Sequence, residues 1–274
     1  MRVPLAGVIG CPVGHSRSPR LHGTWLLSYG IAGYYVPLQV EVLDLERVLR
    51  AMPAMGFVGA NVTIPHKEAA LSFADHVTEK AQTIGAANTL CFSDRGLEAD
   101  NTDAYGFLAN LQSGAPRWRG ADGPALVLGA GGAARAVLVA LAEAGVPEIR
   151  LSNRTRQRAH ALAAEIAAPI TVVPWEEREA AADGAALIVN TTSLGMEGQA
   201  PLDFAPEALR SGTVVTDIVY TPLETPLLRA ARAQGCTVVD GLGMLLYQAV
   251  PGFERWFGRR PEVTQALRDA VLGP

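Results

Sequence analysis

Residues 125 to 136 read Ala-Leu-Val-Leu-Gly-Ala-Gly-Gly-Ala-Ala-Arg-Ala: four apolar residues run straight into a glycine cluster and then into small, helix-compatible residues. The pattern spells strand, tight turn, helix. Gly129 and Gly131 occupy the first two glycine positions of a G-x-G-x-x-(G/A) dinucleotide fingerprint and Ala134 the third, with Ala130, Gly132 and Ala133 completing the loop. Missing side chains let a pyrophosphate approach the backbone of such a turn, and the N–H groups of the helix start face its charge. A helix-compatible run to Gly145 and a second apolar run over 148–152 complete the βαβ unit that this mechanism needs.

Working outward, strands are expected near 170–173, 186–190, 213–217 and 236–239, so the spacing predicts a doubly wound parallel sheet of Rossmann type. Towards the amino terminus, strand and helix alternate again. A strand over 5–10 precedes a helix with Ser18 as N-cap and Pro19 as first helical residue, running to Gly30. A strand over 34–38, a helix over 43–55, a strand over 57–63, a helix opened by Pro65 and running to Phe73, and short strands over 86–92 and 97–99 about a turn at 94–96 follow. Asn101, Thr102 and Asp103 start a helix to Leu111, and after Asp240 two helices over 244–257 and 262–271 close the chain. The expected fold is α/β with two domains: residues 1–103 plus 241–274 as an α/β substrate-binding domain, and 104–240 as the nucleotide-binding sheet.

The 274 residues, 49% hydrophobic and 18% charged, can bury a sizeable core, and a net charge of -4 offers no basic field for nucleic acid or an anionic membrane surface. Cys11, Cys91 and Cys236 form no C-x-x-C, which argues against a disulfide framework and a zinc site and for a reducing cytoplasm. Neither a membrane-spanning run nor a secretion signal at 1–10 is legible. His15, His22 and His66 lack carboxylates at metal-ligand spacing, so no metal is assigned, and Cys11 has nothing beside it to activate a thiolate. A small-molecule substrate is expected, with the chain a monomer or homodimer.

An NAD-selective unit places an acidic residue at the end of its second strand, about twenty residues past the first glycine. Here that place reads Ser152-Asn153-Arg154-Thr155, with Arg158 a helical turn on. Guanidinium groups in place of a carboxylate suit a 2′-phosphate, so the cofactor is expected to be NADP(H), held by Asn153, Arg154, Thr155 and Arg158 besides the glycine turn. Thr155 also stands where an N-cap is needed. Alcohol oxidation requires a group that takes the hydroxyl proton as hydride leaves. Lys67, closing N-V-T-I-P-H-K, and Asp103, closing N-T-D, both stand at strand-to-helix corners, where α/β sheets gather ligands.

Nine motifs in order, G-C-P-V-G-H-S-R-S-P, N-V-T-I-P-H-K, I-G-A-A-N-T-L, N-T-D-A-Y-G, G-A-G-G-A-A-R-A, S-N-R-T, N-T-T-S-L-G-M, D-I-V-Y-T-P and D-G-L-G-M-L-L-Y-Q-A, resemble those of the shikimate dehydrogenase family over nearly the whole chain. The resemblance implies reduction of 3-dehydroshikimate to shikimate with NADPH, on the way to aromatic amino acids. It casts Lys67 as catalytic acid/base and Asp103 as its partner on the reacting hydroxyl. Ser16, Ser18 and Tyr220 match donors to the substrate carboxylate, and Asn61, Thr63, Asn88 and Gln248 match residues that bind ring hydroxyls. Thr191 and Ser193 would lie along the cofactor, with Gly241 and Met244 near its nicotinamide. Gly23 is a departure, since the family often has Asn there. A broader quinate/shikimate dehydrogenase, a catalytically silent NADPH-binding sensor, and an enzyme of the same architecture acting on folate or another substrate are the alternatives. Arg154, the retained Lys67 and Asp103, and the paired Ser16 and Ser18 speak against the three respectively.

Overall fold

The computed structural model describes residues 3–273. The chain forms two compact units, Met1–Asp103 with Leu245–Pro274, and Ala104–Met244. In the first, β1 (Leu5–Gly10), β2 (Tyr34–Gln39), β3 (Phe57–Val62), β4 (His76–Val77), β5 (Thr89–Ser93) and β6 (Gly96–Asp100) make one sheet in the order β2-β1-β3-β5-β6-β4. It is mixed: β1 runs parallel to β2 and β3, while β5 is antiparallel to both β3 and β6. Helices α1 (Ser18–Ser28), α2 (Leu45–Ala51), α3 (Lys67–Ser72) and α4 (Glu79–Ile84) connect these strands, and α5 (Asp103–Gly114) leads out of the unit.

Two apolar layers hold this sheet. Ile9, Leu45, Leu49, Met52 and Leu90 form one, each essentially excluded from solvent. The other is aromatic, with Trp25, Tyr35, Phe253 and Trp256 clustered around His22. The Trp256 indole N–H donates to Leu90 O at 3.0 Å across Gly59, where an added Cβ would stand 1.9 Å from that nitrogen. Only glycine admits the ring there.

Several boundaries differ from expectation. Ser18 is the first residue of α1 rather than its cap; Arg17 holds the cap position, with no side-chain capping bond. The helix expected over 43–55 is three pieces, a 3-10 turn at Val42–Asp44, α2, and a 3-10 turn at Met52–Met55, where Pro53 has no N–H for the α-helical ladder. Helix α3 begins at Lys67, not Pro65, after a turn closed by His66 N–H on Thr63 O (2.9 Å). The strand expected from residue 86 begins at Thr89, and β4 and α4 lie outside the expected pattern. Helix α1 runs unbroken through Gly23.

The second unit holds β7 (Ala125–Leu128), β8 (Ile149–Ser152), β9 (Ile170–Val173), β10 (Leu187–Asn190), β11 (Val214–Asp217) and β12 (Thr237–Val239) in the order β12-β11-β10-β7-β8-β9, every pair parallel. This is the two-half order of a Rossmann sheet, reversing between β7 and β10. All four side chains of β7 are fully buried, as a central parallel strand covered on both faces requires. Helices α6 (Gly132–Glu143), α7 (Arg156–Glu165) and α8 (Pro226–Ala233) follow β7, β8 and β11.

Helix α9 (Leu242–Phe257) carries the chain back to the first unit, which also contains α10 (Gln265–Leu272). Residues 241–244, expected with the first unit, group with the second. The chain is drawn in there: Asn110 Nδ2 donates to O of the preceding Asp240 at 2.7 Å, and a Cβ on Gly241 would lie 2.4 Å from Ile218 O. Among the described residues no helix is long and apolar enough to cross a membrane.

Candidate active site

Lys67 opens α3 and Asp103 opens α5, and the local chain fixes both corners. Ala87 N–H donates to Lys67 O at 2.9 Å; Asp103 N–H donates to Asn101 Oδ1 at 3.0 Å, while Asn101 Nδ2 reaches Ala86 O at 2.8 Å. The side chains meet as an ion pair, Nζ to Oδ2 2.5 Å, with only 18% and 9% of their surfaces exposed. Removing one partner of so enclosed a pair leaves an uncompensated charge, so each residue's burial depends on the other.

Asn88 holds the other Asp103 oxygen, donating from Nδ2 to Oδ1 at 2.7 Å and to Gln248 Oε1 at 3.2 Å. Its own Oδ1 accepts from Thr102 N–H (2.8 Å) and lies within hydrogen-bonding reach of the Thr89 and Thr102 hydroxyls (2.9 and 3.1 Å). Asn61 Nδ2 donates to Asn88 O (3.1 Å) and Thr89 Oγ1 (3.3 Å), and the Tyr35 hydroxyl donates to Asn61 Oδ1 (2.7 Å). Gln248 Nε2 donates to Leu245 O at 3.0 Å. The structure therefore joins Asn61, Asn88, Gln248, Asp103 and Lys67 in one network. Ser16 accepts from Ser18 N–H at 3.3 Å, with Ser18 buried, and Thr63 is half-buried just past β3.

Tyr35 carries no distinguishing signal in the sequence, and Thr89 and Thr102 stand inside I-G-A-A-N-T-L and N-T-D-A-Y-G without a role that the motifs assign them. His22 lies flat on the Tyr35 ring, centroids 3.9 Å apart and planes 4° from parallel, with neither ring nitrogen in hydrogen-bonding geometry. Burial pushes its pKa down to about 3, against a smaller pull from the nearby Asn61 amide, so the ring is a neutral packing element. His66 is likewise structural, Nε2 2.7 Å from Val40 O. Burial and the Glu41 carboxylate raise the Cys11 thiol, the reverse of activation. Among the described residues no three His, Cys, Asp or Glu side chains are grouped to hold a metal.

The second unit contains the glycine turn. Gly129 has φ +109, and a Cβ there would stand 2.6 Å from Thr191 Oγ1, which itself donates to Leu128 O at 2.8 Å. Gly131 and Gly132 are different: an added Cβ would meet nothing within 4 Å. Asn153 Oδ1 accepts from Ala130 N–H (3.2 Å), and its Nδ2 donates to Thr155 O (2.9 Å), joining the turn to the end of β8. Thr155 holds the cap position of α7 without a side-chain capping bond.

Arg154 and Arg158 are exposed and free of ion-pair partners among the described residues. Open backbone at a helix start, with two uncommitted guanidinium groups a helical turn apart, fits a dinucleotide bearing an extra phosphate. Ala133 is half-buried and Ser193 exposed, Met244 is buried, and Tyr220 lies half-buried in the loop after β11. That loop is tied down by Asp217, whose carboxylate accepts from Asn190 Nδ2 (3.0 Å), Val219 N–H (3.0 Å) and Thr225 Oγ1 (2.8 Å); burial raises its pKa to about 6. A cavity of about 690 Å³ at the amino-terminal ends of β10 to β12, lined among others by Trp118, Ser211, Thr213 and Thr237, includes none of these residues.

A Rossmann sheet with an NADP-type turn, in one chain with a mixed-sheet unit built around an enclosed Lys–Asp pair, defines the class: a nicotinamide-dependent dehydrogenase. Three family models match, the shikimate dehydrogenase substrate binding domain over residues 8–90, shikimate / quinate 5-dehydrogenase over 117–196 and the shikimate 5'-dehydrogenase C-terminal domain over 241–272. The chain is 61% identical over 272 residues to shikimate dehydrogenase (NADP(+)) of Ruegeria sp., covering 99% of each. Among solved structures, shikimate 5-dehydrogenase of Thermus thermophilus in complex with NADP(H) and shikimate is 41% identical, with a TM-score of 0.86 and 98% of each chain covered. Quinate dehydrogenase of Corynebacterium glutamicum in complex with NAD is 34% identical, with a TM-score of 0.91 over 98% of each chain. The chain belongs to the shikimate dehydrogenase family.

Proposed function

We propose that this chain catalyses the reversible NADP(H)-dependent interconversion of 3-dehydroshikimate and shikimate, serving the route to aromatic amino acids. The observation that carries the proposal is the enclosed Lys67–Asp103 pair, its carboxylate gripped on the far side by Asn88. NADP(H), when bound, supplies or takes up the hydride. In the oxidising direction Lys67 Nζ, as the amine, accepts the hydroxyl proton while the C–H electron pair leaves the carbinol carbon; in reduction the ammonium returns that proton to the carbonyl oxygen. Asp103 Oδ2 keeps Nζ aimed at the reacting oxygen, and Asn88 keeps Asp103 from turning.

Ser16, Ser18 and Tyr220 donate to the substrate carboxylate. Asn61, Thr63, Asn88 and Gln248 face the ring hydroxyls, and such fixed groups reject ligands that would leave them unpaired. On the cofactor side, Gly129 to Ala133 cradle the pyrophosphate and Arg154 and Arg158 meet the 2′-phosphate, with Asn153, Thr155, Thr191, Ser193, Gly241 and Met244 completing the site. A cytoplasmic location, in keeping with the free thiols Cys11, Cys91 and Cys236, and a monomeric or homodimeric state belong to the same proposal.

The test is reduction of NADP+ and of NAD+ by the purified protein, with shikimate and quinate side by side. Turnover of shikimate with NADP+ far above the other three combinations is expected. Comparable quinate turnover assigns the broader activity instead, and tight binding without turnover assigns a sensor.

A further inference from the structure

A residue that touches no reacting atom sits where the polar network of the first unit is joined. Thr89 opens β5, and the register of the sheet places it opposite Asn61 on β3 and Asp100 on β6, between one substrate-side amide and the corner that leads to Asp103. It is completely buried. We propose that Thr89 is a positioning residue: its hydroxyl locks the Asn61 amide to the Asn88 amide and, through Asn88, fixes the carboxylate that holds Lys67. The inference rests on the dehydrogenase reading above and adds a group that reading does not contain.

The orientation of both amides in this chain is forced by two backbone groups. The carbonyl of Asn88 can only accept, so Asn61 must turn Nδ2 towards it and Oδ1 towards Tyr35, whose hydroxyl then donates. The N–H of Thr102 can only donate, so Asn88 must turn Oδ1 towards it and Nδ2 towards Asp103 and Gln248. Between these ends the Thr89 oxygen accepts from Asn61 Nδ2 and gives its single proton to Asn88 Oδ1. Thr102 Oγ1 stands 3.1 Å from both Thr89 Oγ1 and Asn88 Oδ1 and closes the third side.

A reversed Asn88 would set N–H against N–H at Thr102 and oxygen against the Asp103 carboxylate, two repulsions in a buried place. Losing the Thr89 hydroxyl removes one of the acceptors on Asn61 and one of the donors on Asn88. The amides that face substrate then gain freedom, while the ion pair itself stays intact.

Thr89→Val keeps the shape and deletes the hydroxyl; Thr89→Ser deletes the methyl and keeps it. Steady-state kinetics with shikimate and NADP+ should show kcat/KM for shikimate falling about 5- to 10-fold in Thr89→Val, most of it in KM, with NADP+ KM changed less than about two-fold. Thr89→Ser should restore shikimate KM to within about two-fold of the unsubstituted chain, although it loses packing. Parent-like kinetics in Thr89→Val overturns the proposal, and so does a defect that Thr89→Ser fails to rescue or that weakens NADP+ to the same degree. If the unsubstituted chain does not oxidise shikimate, the dehydrogenase reading fails first and the inference falls with it.

Discussion

In the first unit polar side chains satisfy one another: Lys67, Asp103, Asn88, Thr89, Asn61 and Tyr35 form an unbroken run of hydrogen bonds before any ligand is considered. In the second unit the binding turn is left open, with bare backbone at Gly131 and Gly132 and exposed cations at Arg154 and Arg158. The difference follows from what each must recognise. A small polyol undergoing proton transfer needs donors and acceptors fixed within a few tenths of an ångström, which only a pre-formed network supplies. A phosphate needs space, N–H groups and positive charge, and tolerates looser placement.

The largest expected effect lies in the saturated region. Asp103→Ala strips Lys67 and Asn88 of their shared partner, and kcat for shikimate oxidation should drop by about 10²-fold or more. A smaller effect is expected in the open region, where Arg154→Ala should cut the preference for NADP+ over NAD+ by about 10- to 100-fold, read as the ratio of kcat/KM values. An unchanged ratio would show that the exposed guanidinium is decoration.

Acid should find the first unit through His22. Its folded pKa, about 3, lies below the ordinary value of 6.5, so the unfolded chain binds the extra proton and stability is lost as pH falls below about 6.5. Between pH 7 and 5 this one group should cost about 2 kcal/mol of unfolding free energy. Denaturant titrations of His22→Phe should show a correspondingly flatter acid limb.

A further pair of substitutions sharpens the contrast within the glycine turn itself. Gly131→Ala should leave the melting temperature unchanged, since its Cβ enters open space at φ -100, while raising NADP+ KM several-fold by crowding the phosphate. Gly129→Ala should instead destabilise the unit by about 1–3 kcal/mol, because φ +109 and the Thr191 hydroxyl both oppose a side chain. Equal behaviour of the two variants would erase the distinction drawn between them.

The second unit is the more legible in sequence, and for a physical reason. Its strands are short apolar runs punctuated by glycines, and each begins within about two residues of its expected place; the central strands β7, β10 and β11 are wholly buried, and a buried parallel strand tolerates little else. In the first unit α4 falls outside the expected pattern although Thr78 caps it, accepting from Ala81 N–H, and Gly85 ends it at φ +73; both signals are present in the chain. Lys67 and Asp103 are candidates from their strand-to-helix corners, and the family resemblance is what singles out both of them and the other candidate site residues. The roles of Thr89 and Thr102, although both stand inside family motifs, and of Tyr35 and the neutral His22 are not legible, since what distinguishes them is a partner distant in the chain. No local pattern encodes that.

The most direct test of Lys67 as the proton carrier is Lys67→Ala, assayed for shikimate oxidation with NADP+ and, separately, for shikimate affinity by calorimetry. The expected result is that kcat falls by about 10²- to 10⁴-fold while the dissociation constant for shikimate moves by only a few-fold, because a proton carrier has been removed from a site still held by its amides. A variant that retains the parent kcat would contradict it outright and remove Lys67 from the chemistry.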